Sequence, residues 1–270
     1  MKKIILLLIC LFTCLQANAK QLKFAQVTDT FYSSDKPHTA QILDWSVRSL
    51  NLKNPKFVVF MGNNIARSKE KDATEFLKTI KSLKMPYYVA FGNYDAHEVS
   101  GLKKEEFWSL VKKYNKNNSS KTGYYTFSPN RDILCIVLDG TVPFMQSNHG
   151  IFPEEELKWL DKTLSKNKNK KVMIFQHFPL IDPYENPQLS MLYKEKYQEV
   201  IDKHKNIISI SSGHFQTSKI TVDEKGIYHI SSPALGKPNF IYDMVTIDYT
   251  KLPFSKVKIN EIKVTPIELQ

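Results

Sequence analysis

The chain has 270 residues, 42% of them hydrophobic, 24% charged, and a formal net charge of +11. That is ample for a large core in one domain. The positive charge does not form a nucleic-acid patch: the densest lysine runs, Lys112 to Lys121 and Lys166 to Lys171, are interleaved with Asn and Ser as in solvated loops, and no stacked-aromatic motif accompanies them.

The first residues read as an export leader. Lys2 and Lys3 precede an apolar run from Ile4 to Leu15, and Ala17-Asn18-Ala19 has the small-x-small pattern of a signal-peptidase site. The run is too short for a helix spanning a bilayer, which takes about 20 residues. The expected domains are a signal peptide over 1–19 and a folded domain over 20–270, the latter periplasmic or extracellular. A lipoprotein anchored at Cys14 is the alternative, with Thr13 where a smaller residue is usual. Loss of Lys2 and Lys3 lowers the charge to +9, and Cys135 remains as a lone cysteine inside an apolar run, reading as a small buried hydrophobe.

Short apolar strands then alternate with amphipathic helices. Strands are predicted over Leu22–Thr28, Phe57–Met61, Tyr87–Phe91, Ile133–Asp139, Val172–Gln176 and Ile207–Ser212. Helices are predicted over His38–Leu50, Asp72–Leu83, Lys104–Lys113, Pro153–Leu164 and Met191–His204. The fourth helix has Leu157, Leu160 and Leu164 at helical spacing, and Glu154, Glu155 and Glu156 at the positive end of its dipole. After residue 212 only strands follow: Ser218–Val222, Ile227–Ser231, Met244–Asp248 and Val257–Val264, the first two joined through Asp223-Glu224-Lys225-Gly226 as a hairpin. This order predicts an α/β sandwich with its site on loops at the carboxyl ends of strands.

Polar residues stand at those ends in a series. Thr28-Asp29-Thr30-Phe31 closes the first strand, Gly62-Asn63-Asn64 the second and Gly92-Asn93-Tyr94-Asp95 the third; Gln176-His177 and Gly213-His214-Phe215-Gln216 follow later. Singly each is weak, because a Gly-Asn is usually a turn and a lone histidine is usually structural. In series they resemble the calcineurin-like metallophosphoesterases, whose motifs run Asp-x-His, Gly-Asp, Gly-Asn-His-Asp, His and Gly-His-x-His. The resemblance covers residues 22 to about 250. It includes Ser231-Ser232-Pro233 as a closing loop, and its layout is similar to the branch containing cyclic-nucleotide phosphodiesterases. It implies a four-layer αββα sandwich of two mixed sheets flanked by helices. It also implies two divalent cations about 3.5–4 Å apart that activate a water and clamp the phosphoryl oxygens.

Against that pattern the site is degenerate. Asp29 matches, but Phe31, Asn63, Tyr94 and Gln216 stand where the resemblance calls for His, a bridging Asp, the leaving-group His and a second His. Asn93, His177 and His214 match. The remaining metal candidates are Asp29, Asn63, Asn93, His177 and His214, enough for at most one weakly held divalent ion (zinc, manganese or iron), or none. Tyr94 and Asp95 are the candidate catalytic residues, although a phenol with an ordinary pKa near 10 matches acid–base work at neutral pH poorly. His38 and His97 are candidate substitute ligands. Asn93 and Asp95 could equally be turn residues, and the two histidines supports of a former pocket.

Three functions stay open: a pseudoenzyme or phosphate- or ligand-binding module, a metal-dependent phosphoester hydrolase using a single ion, and an exported surface protein whose pocket is incidental. The expected partner is a phosphorylated small molecule.

Overall fold

The computed structural model describes residues 20–115, 122–142, 147–250 and 256–265. The leader and both of its cysteines lie outside the described residues. Among the described residues no helix is long and apolar enough to cross a membrane.

Two mixed sheets pack face to face. Strands β1 (Gln21–Val27), β2 (Val58–Met61), β3 (Tyr87–Ala90), β10 (Ile241–Asp248) and β11 (Lys256–Lys263) form one sheet in the order β11-β10-β1-β2-β3. The second has the order β4-β5-β6-β7-β9-β8, built from β4 (Tyr125–Asn130), β5 (Ile133–Val137), β6 (Lys171–Phe175), β7 (Ile207–Ser212), β8 (Lys219–Val222) and β9 (Tyr228–Ser231). The strand β1-β2-β3 set is parallel, as is β5-β6-β7-β9, so their carboxyl ends meet at one end of the sandwich.

Side-chain alternation along β5 explains the layering. Ile133, Cys135 and Val137 enter the core between the sheets, while Leu134 and Ile136 join the apolar layer beneath the helices. Helices α1 (Pro37–Lys53), α2 (Glu70–Ile80) and α3 (Lys104–Tyr114) cover the first sheet through Leu43, Leu50, Phe76, Leu77 and Phe107. Helices α4 (Glu154–Lys166) and α5 (Lys194–Asp202) cover the second through Leu160, Leu164, Tyr197 and Ile201. Between the sheets, Phe24 stacks on Phe57 at 5.0 Å and meets the edge of Phe175 at 5.5 Å. Such pairs add about 0.5–1.5 kcal/mol each beyond the area they bury.

The predicted elements are all present, with shifted ends. The last helix begins at Lys194 instead of Met191 because Tyr193 takes a left-handed φ of 54°, which a helix cannot contain. Strand β4 was not among the predicted strands. Its Ser128-Pro129 interrupts the pattern, and its register against β5 slips between Phe127 and Asn130. The Asp223–Gly226 turn does close a hairpin between antiparallel β8 and β9.

Candidate active site

Five segments meet where the parallel strands end. Backbone hydrogen bonds stitch them together: Asp29 N–H to Gly62 O (3.0 Å), Phe31 N–H to Asn63 O (3.0 Å), Gly213 N–H to His177 O (3.0 Å) and Gly236 N–H to Asp29 O (2.9 Å). Asp29, Phe31, Asn63, His214 and Gln216 all have positive φ, between 48° and 64°. That region is unusual for any residue with a Cβ, and each instance costs about 1–3 kcal/mol unless its surroundings enforce it. The backbone here is held tightly. At Gly62, with φ 86°, an added Cβ would lie 2.7 Å from the His177 ring.

Asp29 is fully buried at the floor. Its Oδ1 accepts from Asn63 Nδ2 (2.9 Å), and its Oδ2 from the Thr28 hydroxyl (2.9 Å) and the His214 N–H (3.0 Å). Burial pushes its carboxyl above the ordinary range, while the bonds from Asn63, Thr28 and His214 pull the other way. Asn63 Oδ1 accepts the Tyr94 N–H at 3.0 Å. Its amide is thus a neutral crosslink that donates to one neighbour and accepts from the other. A carboxylate can only accept and a backbone N–H can only donate, so this orientation is the one that satisfies both neighbours.

The His177 and His214 rings meet edge to face at 5.0 Å. His177 is fully buried; its Nδ1 lies 2.8 Å from Met61 O and must donate, so Nε2 carries a lone pair, and that atom has no hydrogen-bond partner. His214 uses Nε2 on Asn148 O at 2.8 Å. Burial pulls both imidazoles down to about 4, with His177 adding to the effect at His214 and the Met61 bond opposing it at His177. Both are neutral at physiological pH. Asn93 reaches the group through Asn148, whose Oδ1 accepts from Asn93 Nδ2 at 3.3 Å.

The structure therefore brings Asp29, Asn63, Asn93, His177 and His214 to one end of the sandwich, with Tyr94 beside them. Phe31 and Gln216 belong to the same loops, and Phe31 meets Tyr94 edge to face at 5.7 Å. Asp95, the other catalytic candidate, is placed differently. Its carboxylate is fully buried and accepts from the backbone N–H groups of Gly92 (2.8 Å), Asn64 (2.7 Å) and Ile65 (3.1 Å) and from Asn64 Nδ2 (2.9 Å). It ties the loop after β3 to the loop after β2 and has no exposed surface. His97 takes the Ser100 N–H on Nδ1 and lines a separate cleft with Arg67 and Tyr94; His38 sits exposed in the first turn of α1.

Four residues of the site, Leu189 among them, escaped the sequence reading. A cleft of about 280 Å³ opens over Asn63 and His214, and Asn148, Tyr184 and Lys237 line it with Tyr94 and Gln216. None follows a motif strand directly, although Lys237 comes right after the close Gly236–Asp29 contact.

These residues do not fit a two-metal centre. Among the described residues, no three His, Cys, Asp or Glu side chains are grouped as a metal ion requires. The sole carboxylate at the floor is Asp29, and the bridging position holds an amide already spent on two protein partners.

A model described as calcineurin-like phosphoesterase matches residues 22–216. A probable glycerophosphodiester phosphodiesterase of Arcobacter nitrofigilis is 28% identical over 180 residues, spanning 65% of this chain and 62% of that protein. A manganese-dependent ADP-ribose/CDP-alcohol diphosphatase of Danio rerio is 31% identical over 90 residues, 33% of this chain and 28% of the relative. The chain thus spans less than two thirds of either relative's length. A solved dimetal phosphatase from Danio rerio superposes with a TM-score of 0.69 at 15% identity, covering 90% of this chain and 99% of that one. The Plasmodium inner-membrane-complex anchor GAP50 superposes at 0.56 with 14% identity, covering 91% and 89%. With most of its length matched by the family model and its fold shared with these structures, the chain belongs to the calcineurin-like phosphoesterase family.

Proposed function

We propose that this protein is a non-hydrolytic member of its family, a binding module that uses the phosphoesterase frame without dinuclear catalysis. The observation that carries the reading is the Asn63–Asp29 pair at 2.9 Å. Two carboxylates at that spacing would need a cation between them, whereas an amide against a carboxylate needs none. Phe31 and Tyr94 extend the same logic, closing with an aromatic contact what would otherwise be ligand and acid positions.

The test is metal content of the purified protein, together with turnover of bis(p-nitrophenyl) phosphate in added manganese or zinc. The expected result is no more than one ion per chain and negligible turnover. Installing Phe31→His, Asn63→Asp, Tyr94→His and Gln216→His together should raise stoichiometry toward two and bring turnover with it. Robust metal-dependent turnover by the unmodified chain, abolished by His177→Ala, would overturn the reading.

That outcome would favour the single-ion hydrolase, which one observation supports. The buried, unpartnered Nε2 of His177 is a ready ligand, and Asp29, Asn93 and His214 are the groups that would join it. Such an ion would supply Lewis acidity and a lowered water pKa. The leader pattern supports export, with cleavage between Ala19 and Lys20; N-terminal sequencing of secreted protein decides between that and a lipid-bearing Cys14.

A further inference from the structure

From the cleft over the degenerate site we infer a ligand class: a hydroxylated sugar ring carrying one acid group. The inference rests on the non-hydrolytic reading above. The cleft, at about 280 Å³, is close to the lower end of the range for small-molecule sites, roughly 300–1,000 Å³. Its walls are aromatic. Tyr94 and Tyr184 are 37% and 47% exposed, so each ring offers an open face. Both rings are held in place before any ligand arrives: Tyr94 lies edge-on to Phe31, and Tyr184 meets Phe215 at 5.1 Å while its hydroxyl donates to Phe215 O at 3.3 Å. Prepositioned rings lose little freedom on binding and suit the flat C–H face of a sugar.

The polar groups narrow the choice further. Asn148 and Gln216 are amides, which donate and accept at once as hydroxyl groups do. Inorganic phosphate near neutral pH is mostly acceptor oxygen with few P–OH donors, so it would engage the amide N–H groups more than the free Gln216 carbonyl. Lys237 is the one cation among the lining residues; it is exposed, and it forms no salt bridge among the described residues. It is set in place by Gly236, whose N–H donates to Asp29 O at 2.9 Å. Asp29 itself is buried beneath the floor and is not among the lining residues. One cation matches one acid group, and the +11 formal charge of the whole chain draws anions toward it.

The acid can be a carboxylate or a phosphate monoester, and separate arms of one experiment tell them apart. Glucuronate, glucose 6-phosphate, glucose and inorganic phosphate are each titrated into the full chain by calorimetry, with saturation-transfer NMR for weak binding. At least one of the two acid sugars should bind at least fivefold more tightly than glucose or inorganic phosphate. Lys237→Ala should abolish the advantage over glucose, and Tyr184→Ala or Gln216→Ala should weaken the acid sugar at least fivefold. All three positions are at a cleft mouth, and unchanged melting temperatures would exclude misfolding as the cause. Inorganic phosphate binding as tightly as the acid sugars would overturn the inference, as would binding indifferent to Tyr184→Ala and Gln216→Ala, or no binding of either acid sugar at 10 mM. None of those results bears on phosphodiester turnover, so failure of the ligand class stays distinct from failure of the non-hydrolytic reading.

Discussion

Two buried carboxylates about one loop apart have met different fates. Asp95 is held by four donors, three of them backbone N–H groups of the loops it joins. Asp29 is held by one backbone N–H, a hydroxyl and the amide of Asn63. Backbone donors remain whatever the side chains become, so Asp95 serves a frame that any function on this fold requires. Two of the three partners of Asp29 are side chains, and one of them, Asn63, is a position that differs from the family's motif. Framework and chemistry are separable, with a boundary that runs between neighbouring residues.

The largest expected effect tests the framework side. Asp95→Ala should cost about 3 kcal/mol of stability, because it strands several buried donors at once; urea denaturation measures it, and added manganese should not restore the loss. Asn63→Asp tests the other side. A second carboxylate against Asp29 should cost about 2 kcal/mol in metal-free buffer and recover part of it in millimolar manganese, read as a rise in melting temperature. Equal manganese response in the two variants would erase the distinction.

A third buried carboxylate extends the comparison to pH. Glu156, in the first turn of α4, accepts the Asp139 N–H at 2.7 Å beside the Lys104–Asp139 ion pair at 2.6 Å. Burial first, and the Asp139 charge second, push its carboxyl up to about 8 from an ordinary 4.5. The folded chain keeps a proton that the unfolded chain loses, so this contribution is full below 4.5 and is lost as pH rises through 8. Glu156→Gln cannot lose that proton, and its melting temperature should fall less than the wild type's between pH 6 and 9. The smallest effect belongs to Phe31→Ala, about 0.5 kcal/mol for a half-buried aromatic pair. Its larger consequence should be weaker ligand binding, as Tyr94 loses the ring that positions it.

The fold was legible because strands buried on both faces, such as Ile133–Val137, read as continuous apolar runs, and because polar residues followed them. Strand β4 was not, since an edge strand with Ser128-Pro129 and a slipped register carries no clean period. At the site, the identities of Phe31, Asn63 and Gln216 could be read in order, but the use made of Asp95 could not. A carboxylate after Gly-Asn-Tyr has the same letter whether it faces a ligand or clasps backbone. Lys237, Tyr184 and Asn148 stayed hidden because they come from loops that only the packed sandwich brings over His214.

The placement of Cys135 has a practical side. A chain beginning at Lys20 contains that cysteine alone, sealed between the two sheets, with burial holding its thiol well above the ordinary range. Thiol reagents act on exposed thiolates, so the folded protein should be silent toward maleimides. A cysteine introduced at an exposed position such as Leu192, 39% exposed, would then be the single reactive position, and a fluorophore there would sit against no background labelling.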